Sequence, residues 1–331
     1  MSTNTRYGLG STGALTFAIE DEPYDQEDDP DTEFGITSED IEPWNENPHT
    51  GMPHGGHGRT PYVQSPDPKE PEFDVPSVLH SPDIPLEIAI GDRETTDEGN
   101  YTAHVFTEAD RLDTATIRHI QPDIGLVAYY VGCKADPTIE WSQGDPVEIS
   151  LAVTAAEHVH DPDEPVPSFD PTLPTDVSPF RAHMQGNLTV EDQDSSLVTE
   201  VATVTGGSWG IGNGLEHQHH GGDGEGANRS AYSVAETTAA DKYDLSLDLN
   251  VTDTDLYEEC VQNDRLLDAE IPFVRQYDDS AGEIVDGLIL RASETPIIEQ
   301  TVERPSEGVV EGTVGLQPQG GVEIEIREPN T

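Results

Sequence analysis

The sequence predicts a mainly β chain with two related β halves, one or two short helices and a long irregular N-terminal arm. Three observations carry this. Val147 to Thr154 and Tyr243 to Val251 alternate apolar and polar residues at the period of a half-buried strand. Glu148-Ile149-Ser150-Leu151-Ala152-Val153 matches Asp244-Leu245-Ser246-Leu247-Asp248-Leu249 in pattern, with the serines in register. From Asp21 to about Pro76 the periodicity disappears, and proline and acid take over.

Taken in order, residues 1–20 form a glycine turn and a strand: Tyr7 to Gly13 is glycine-rich, and Ala14 to Glu20 alternates. Residues 21–76 form the extended Pro/acid-rich arm, including GMPHGGHG at Gly51 to Gly58, and carry spaced aromatics that suit docking on a neighbouring subunit: Phe34, Trp44, Tyr62 and Phe73. Residues 77–331 form the β domain, with halves at roughly 77–160 and 180–331. In the first half, strands are expected at Pro85 to Gly91, Tyr101 to Phe106, Thr114 to Ile120, Val127 to Val131 and Val147 to Thr154. His158 to Ser178 reads as a Pro/Asp loop. In the second half, Leu197 to Thr205, Tyr243 to Val251, Val309 to Leu316 and Val322 to Ile326 read as strands. Gly206 to Gly226 reads as a glycine-heavy segment with a turn at Asn213-Gly214. Short helices are expected at Ser233 to Ala240 and Asp253 to Asn263.

The 331 residues carry 67 Asp+Glu against 15 Lys+Arg, a formal net charge of -52, and lysine occurs only at positions 69, 134 and 242. Such self-repulsion opposes a compact state unless it is screened. At molar salt the Debye length falls to about 3 Å, so an acid-rich, lysine-poor chain that folds points to a halophilic cytoplasm. The charge argues against a surface that grips nucleic acid, which needs clustered Lys and Arg. No apolar run approaches the roughly 20 residues of a membrane-spanning helix. Met1 to Gly10 lacks the basic-then-apolar layout of a signal peptide. Cys133 and Cys260 form no CxxC pair, and a reducing cytoplasm argues against a disulfide between them.

Chemistry-bearing motifs are sparse. Histidines cluster at His54 and His57, at His158 and His160, and at His217, His219 and His220. Imidazoles beside carboxylates can take zinc or nickel. Their glycine-rich setting predicts solvated loops rather than a metal centre. Asp223-Gly224-Glu225-Gly226 lacks the alternating acids and distal glutamate of a calcium loop. There is no GxSxG elbow, P-loop or dinucleotide fingerprint. Neither a cofactor nor enzymatic activity is implied. Sequons begin at Asn100, Asn187, Asn228 and Asn250, a number that chance supplies.

The order of segments resembles the tail tube proteins of long-tailed viruses, those of haloarchaea in particular. The resemblance rests on Gly8 to Glu20, on Pro85 to Gly91, and on Gly132-Cys133-Lys134 followed by Thr138 to Ser142, Gly144-Asp145-Pro146 and Val147 to Leu151. Ile211 to Glu216 and Leu249 to Tyr257 continue it. It covers the first 20 residues and most of the chain from about 78 onward. It implies a tail-tube-type β-sandwich or β-barrel whose hexameric rings stack around a tape-measure protein, with tail-completion and tail-tip proteins as further partners. It also implies double-stranded DNA passing through the lumen without sticking, and a virion assembled in the cytoplasm of a halophilic archaeal host. Paired strands at 147–154 and 243–252 are expected to bury Val147, Ile149, Leu151, Val153, Leu245, Leu247, Leu249 and Val251. Their other faces then turn Glu148, Ser150, Asp244, Ser246 and Asp248 to the lumen or to outer solvent. The competing readings are a capsid decoration or tail-tip component, and a secreted haloarchaeal adhesin or enzyme.

Overall fold

The computed structural model describes residues 13–27, 30, 32–33, 40–42, 49–51, 63–65, 70–79, 85–122, 124–142, 144–160, 165–166, 179–181, 188–192, 198–201, 204–219, 231, 233–237, 242–250, 266–303 and 311–330. These are mainly strand. The N-terminal strands are β1 (Ala14–Ile19), β2 (Thr32–Glu33), β3 (Asp40–Glu42), β4 (His49–Gly51), β5 (Val63–Ser65) and β6 (Glu72–Val78). The middle of the chain supplies β7 (Gly91–Asp97), β8 (Tyr101–Glu108), β9 (Ala115–Gln121), β10 (Leu126–Ser142), β11 (Glu148–Thr154) and β12 (Glu157–His160). Next come β13 (Leu188–Asp192), β14 (Val198–Val201), β15 (Val204–Ile211), β16 (Leu215–Gln218), β17 (Ser233–Glu236) and β18 (Tyr243–Asn250). The chain ends with β19 (Leu267–Asp278), β20 (Glu283–Thr295), β21 (Ile297–Glu303), β22 (Glu311–Leu316) and β23 (Gly321–Pro329).

Two antiparallel sheets face each other. The main sheet runs β2-β1-β9-β10-β15-β18-β22-β21, with β11 and β12 also paired to β10, and β6 and β3 continuing beyond β11. The second runs β14-β13-β19-β20-β23-β8-β7. Strand β10 joins two parts of the main sheet. Its first half pairs with β9 and β12, and its second half with β11 and β15. The register shifts between Tyr130 and Cys133, where Gly132 takes φ +66. A side chain there would also fall 2.4 Å from the Tyr24 ring, so only glycine permits both the bulge and the contact. Gly132-Cys133-Lys134 is therefore a bulge within one continuous strand.

The core lies between the sheets. Ile139, Ile149, Leu151, Trp209, Leu245 and Leu247 from the main sheet pack with Ile271, Phe273, Leu288, Leu290, Ile324 and Phe106 from the second. Trp141 meets Phe273 edge-on, with ring centroids 5.3 Å apart. Burial of each large apolar side chain contributes about 1.5–3 kcal/mol. One end is closed by Phe180, whose N–H donates to the Leu79 carbonyl (2.9 Å) and whose carbonyl accepts from Val147 (2.8 Å). The Arg275 guanidinium lies 4.0 Å from the Phe180 ring centroid and is held by Asp286 at 2.7 Å.

Strands β11 and β18, expected to pair, share one sheet but are separated by β10 and β15. The order is symmetric about the β10–β15 seam. Ile139 sits opposite Trp209, Ile149 and Leu245 lie one strand outward, and Ser77 and Leu316 one strand further. The two segments that match in sequence thus hold equivalent places in the sheet.

Several expectations need correction. Residues 21–76 are not simply an arm. Glu20 is buried and accepts from the Thr114 and Thr116 hydroxyls (2.6 and 3.0 Å) and from the Tyr24 and Gly132 N–H groups (2.7 and 2.8 Å). Buried Arg118 donates to the Pro30 carbonyl at 2.5 Å, so this stretch is strapped to β9. Further on, β3 pairs with β6, and β6 with β11. Phe73 is therefore a core residue, 4.7 Å from the Tyr130 ring, and not an inter-subunit anchor. Pro85 to Gly91 is no strand: Leu86–Ile88 is a 3-10 turn whose Leu86 and Ile88 are buried, and apolar alternation fits either form. Ser233 to Glu236 is strand β17, because it finds a partner in β16. Gly206 to Ile211, read as the start of a glycine-heavy segment, belongs to strand β15. Phe34, Trp44, Tyr62, Cys260, Val251 and the helix expected at 253–263 lie outside the described residues.

Candidate functional site

The core-facing parity of the main sheet fixes which residues face away. Across β6, β11, β10, β15, β18 and β22 the ladder registers give four outward rows. They are Asp74, Ala152 and Asp136; then Pro76, Ser150, Thr138, Gly210 and Asp244; then Val78, Glu148, Glu140, Ser208, Ser246 and Gly315; then Ser142, Gly206, Asp248 and Thr313. Adjacent strands lie about 4.8 Å apart, so these six strands make a wall about 24 Å wide. Asp74, Glu140, Glu148, Asp244 and Asp248 are exposed, and Asp136 is half-buried.

No row contains a lysine or arginine. The next outward position on β10 is Lys134, opposite Thr154, and it is removed from the surface. Its side chain is buried, with Nζ 2.5 Å from Glu236 Oε1 on hairpin β16–β17.

The middle of the wall is recessed. A concavity of about 350 Å³ is lined by Glu140, Ser142, Glu148, Ser208, Ser246 and Asp248 among others. Strand β15 makes the recess because its outward positions are Gly206, Ser208 and Gly210. On its inner side, a Cβ at Gly207 would meet the Trp141 ring at 2.5 Å.

Among the described residues, no lysine or arginine forms an ion pair with the wall's carboxylates. Glu140 and Glu148 are directly opposite in register, an arrangement that destabilises antiparallel strands. Asp248 Oδ1 accepts the Thr313 hydroxyl at 2.9 Å. Burial raises the Asp136 carboxyl above the usual range, partly offset by the Asn213 N–H at 2.6 Å.

The outward side of the second sheet is built differently. Arg291 Nε donates to Glu270 at 2.8 Å, Nη1 to Glu323, and Nη2 lies 2.6 Å from buried Glu325. Arg327 also holds Glu325, at 2.5 Å, and lies over the Tyr101 ring at 4.8 Å. Burial alone would raise the Glu325 carboxyl, but the Arg327 and Arg291 guanidiniums outweigh it and hold it below the usual range.

No protein-family model matches the chain, and no curated protein matches it significantly. The site therefore rests on its geometry.

Glu148, Ser150, Asp244, Ser246 and Asp248, from segments nearly a hundred residues apart, stand on one face of the main sheet. Sequence reasoning missed Asp136, Thr138, Glu140 and Ser142 on the same face. Their signal was present, since Asp136, Thr138, Glu140 and Ser142 alternate with Ala135, Pro137, Ile139 and Trp141. His217 and His219 sit on and just after β16, and His220 lies outside the described residues. Among the described residues, no group of three or more His, Cys, Asp or Glu converges as metal ligands, and no helix is long and apolar enough to cross a membrane. Cys133 is a buried free thiol whose pKa burial pushes well up.

Proposed function

We propose that the chain is a structural subunit of the tail tube of a long-tailed virus of halophilic archaea, and that the acidic face of the main sheet lines its channel. The observation that carries this reading is the base-free wall. Six adjacent strands present only carboxylates, glycines and small or uncharged side chains, and the one lysine at an outward β10 position is buried.

Proteins hold DNA by placing Lys and Arg on phosphates and releasing counterions. A wall without such groups has nothing with which to hold the backbone, and its carboxylates repel it. The recess over β15 keeps side-chain bulk low along the middle of the face. Partners on this reading are identical subunits in six-membered rings, a tape-measure protein in the lumen before ejection, and DNA afterwards.

Electron microscopy of the purified protein in molar KCl tests the assembly. Six-fold rings or tubes are expected, and a population of monomers alone at high concentration would refute the reading. The wall is tested separately in assembled virions with Glu148→Lys, Asp244→Lys and Asp248→Lys. Each added lysine can contact phosphate, so ejection should slow or stall, and more so at lower salt. Unaltered ejection would place this face outside the channel.

A further inference from the structure

The turn between β15 and β16 contains Asn213-Gly214, the chain's one Asn-Gly pair. The β10–β15 ladder stops at Thr138 and Gly210, and Asn213 takes over beyond it. Its N–H donates to Asp136 Oδ1 at 2.6 Å, and its Nδ2 donates to the Ala89 and Ala135 carbonyls, both at 2.8 Å. Carbonyls only accept, so the amide nitrogen and not the amide oxygen faces them, and both of its hydrogens are engaged. This side chain thus ties the 3-10 turn at Leu86–Ile88 to β10.

Gly214 is fixed as firmly. Its φ is +59, and a Cβ there would fall 2.5 Å from Thr237 Oγ1 and 2.6 Å from the Thr237 carbonyl oxygen. Its carbonyl accepts the Thr237 N–H (3.0 Å) and hydroxyl (2.8 Å). The fold therefore requires a carboxamide at 213 and no side chain at 214. That combination is chemically labile, because glycine leaves its backbone nitrogen unhindered. In an open chain the Gly214 nitrogen attacks Asn213 Cγ. The new C–N bond closes a five-membered imide, the Cγ–Nδ2 bond breaks, and Nδ2 leaves as ammonia, taking up the proton that the Gly214 nitrogen gives up. Water then opens the imide to aspartate or to isoaspartate. In the closed fold the leaving nitrogen is held on two carbonyls, and the backbone that must swing toward Cγ is held by Thr237.

The product does not fit the place that asparagine held. A carboxylate offers only acceptors to the carbonyls of Ala89 and Ala135, both fully buried residues. It also adds negative charge beside Asp136, whose carboxyl burial already raises. Isoaspartate inserts a backbone methylene into a turn whose ends are set by β15 and β16. We propose that Asn213-Gly214 is a guarded modification site: the closed fold suppresses its deamidation, opening releases it, and the deamidated chain closes poorly. The turn therefore keeps a record of time spent open, which at net charge -52 includes passage through low salt. The proposal does not depend on what the wall faces.

The full chain, incubated at one mildly alkaline pH in molar KCl with and without enough urea to unfold it, tests the guard. Circular dichroism verifies each state, and peptide mapping by mass spectrometry follows conversion of Asn213. Conversion should be roughly thirtyfold slower in the folded sample, the protection that two amide hydrogen bonds supply. Equal rates would overturn the proposal. Partly converted chain is then diluted from urea into molar KCl, and the compact fraction is isolated by size exclusion. Products at 213 should be depleted in that fraction, and an unchanged proportion would overturn the proposal. Asn213→Asp, which carries the aspartate product and no other damage, should unfold at a lower urea concentration than the native chain, and an equal midpoint would count against it in the same way.

Discussion

On the outward side of the main sheet, Asp74, Asp136, Glu140, Glu148, Asp244 and Asp248 stand among glycines, serines and threonines, with no guanidinium paired to them among the described residues. On the outward side of the second sheet, Arg291 and Arg327 gather Glu270, Glu323 and Glu325 into one network. Both faces are acid-rich, yet only one neutralises its acid internally. Among the described residues the few bases are not spread evenly over the carboxylates; the outward face of the second sheet receives two guanidiniums, and the six-strand wall of the main sheet none. Net charge therefore says little about either face, and the placement of scarce arginines says much.

The largest expected effect comes from breaking the paired face. Arg291→Ala leaves buried Glu325 with one partner and frees Glu270 and Glu323, and should lower stability by about 2–3 kcal/mol, somewhat below the loss for a fully buried pair. Denaturant unfolding in molar KCl measures it, and a loss within error of zero would show the network to be ornamental. The unpaired face should respond in the opposite direction and only when screening is removed. Glu140→Gln relieves the cross-strand repulsion with Glu148, so it should stabilise by about 0.5–1 kcal/mol at the lowest salt that keeps the fold. That gain should fade at molar salt, where the Debye length is about 3 Å.

Acid distinguishes the faces by sign. Glu325 is held below the usual range when folded, so its stabilisation is present above the unfolded value and is lost as pH falls through the lower folded one. Asp136 is raised, so its ionised form destabilises the fold, and that penalty is relieved as pH falls through its raised value. Acidification should therefore first relieve the Asp136 penalty and later remove the Glu325 contribution. Asp136→Asn should remove the first effect, and Glu325→Gln the second. The smallest effect is at the wall's margin, where Thr313→Val removes the hydroxyl from Asp248 and should cost about 0.5 kcal/mol.

The sequence shows the wall in part because strand parity is local. Ile149, Leu151, Leu245 and Leu247 are buried and Glu148, Asp244 and Asp248 exposed, as alternation within each segment requires. The rest depends on neighbours. Pro85 to Gly91 alternates like a strand, yet Leu86 and Ile88 are buried by a 3-10 turn. Gly206, Gly207 and Gly210 read only as part of a glycine-heavy segment, because the composition of a strand does not announce that a tryptophan lies against it. The arginine network was invisible for a related reason: Arg291 meets Glu270 and Glu323, 21 and 32 residues away in sequence. Phe73 looked like an anchor because nothing in its acidic surroundings reveals that β6 returns to the main sheet.

Strand β10 has a mechanical consequence. It runs from Leu126 to Ser142 without interruption, and both its edges are occupied, by β9 and β12 over one half and by β11 and β15 over the other. Antiparallel ladder bonds lie perpendicular to the strand. Tension along β10 therefore loads the bonds on both sides in shear and all together, rather than peeling them one at a time. The residue at which the strand bends, Gly132, lies between the two sets of bonds. A pull along β10 must break both ladders before the strand yields.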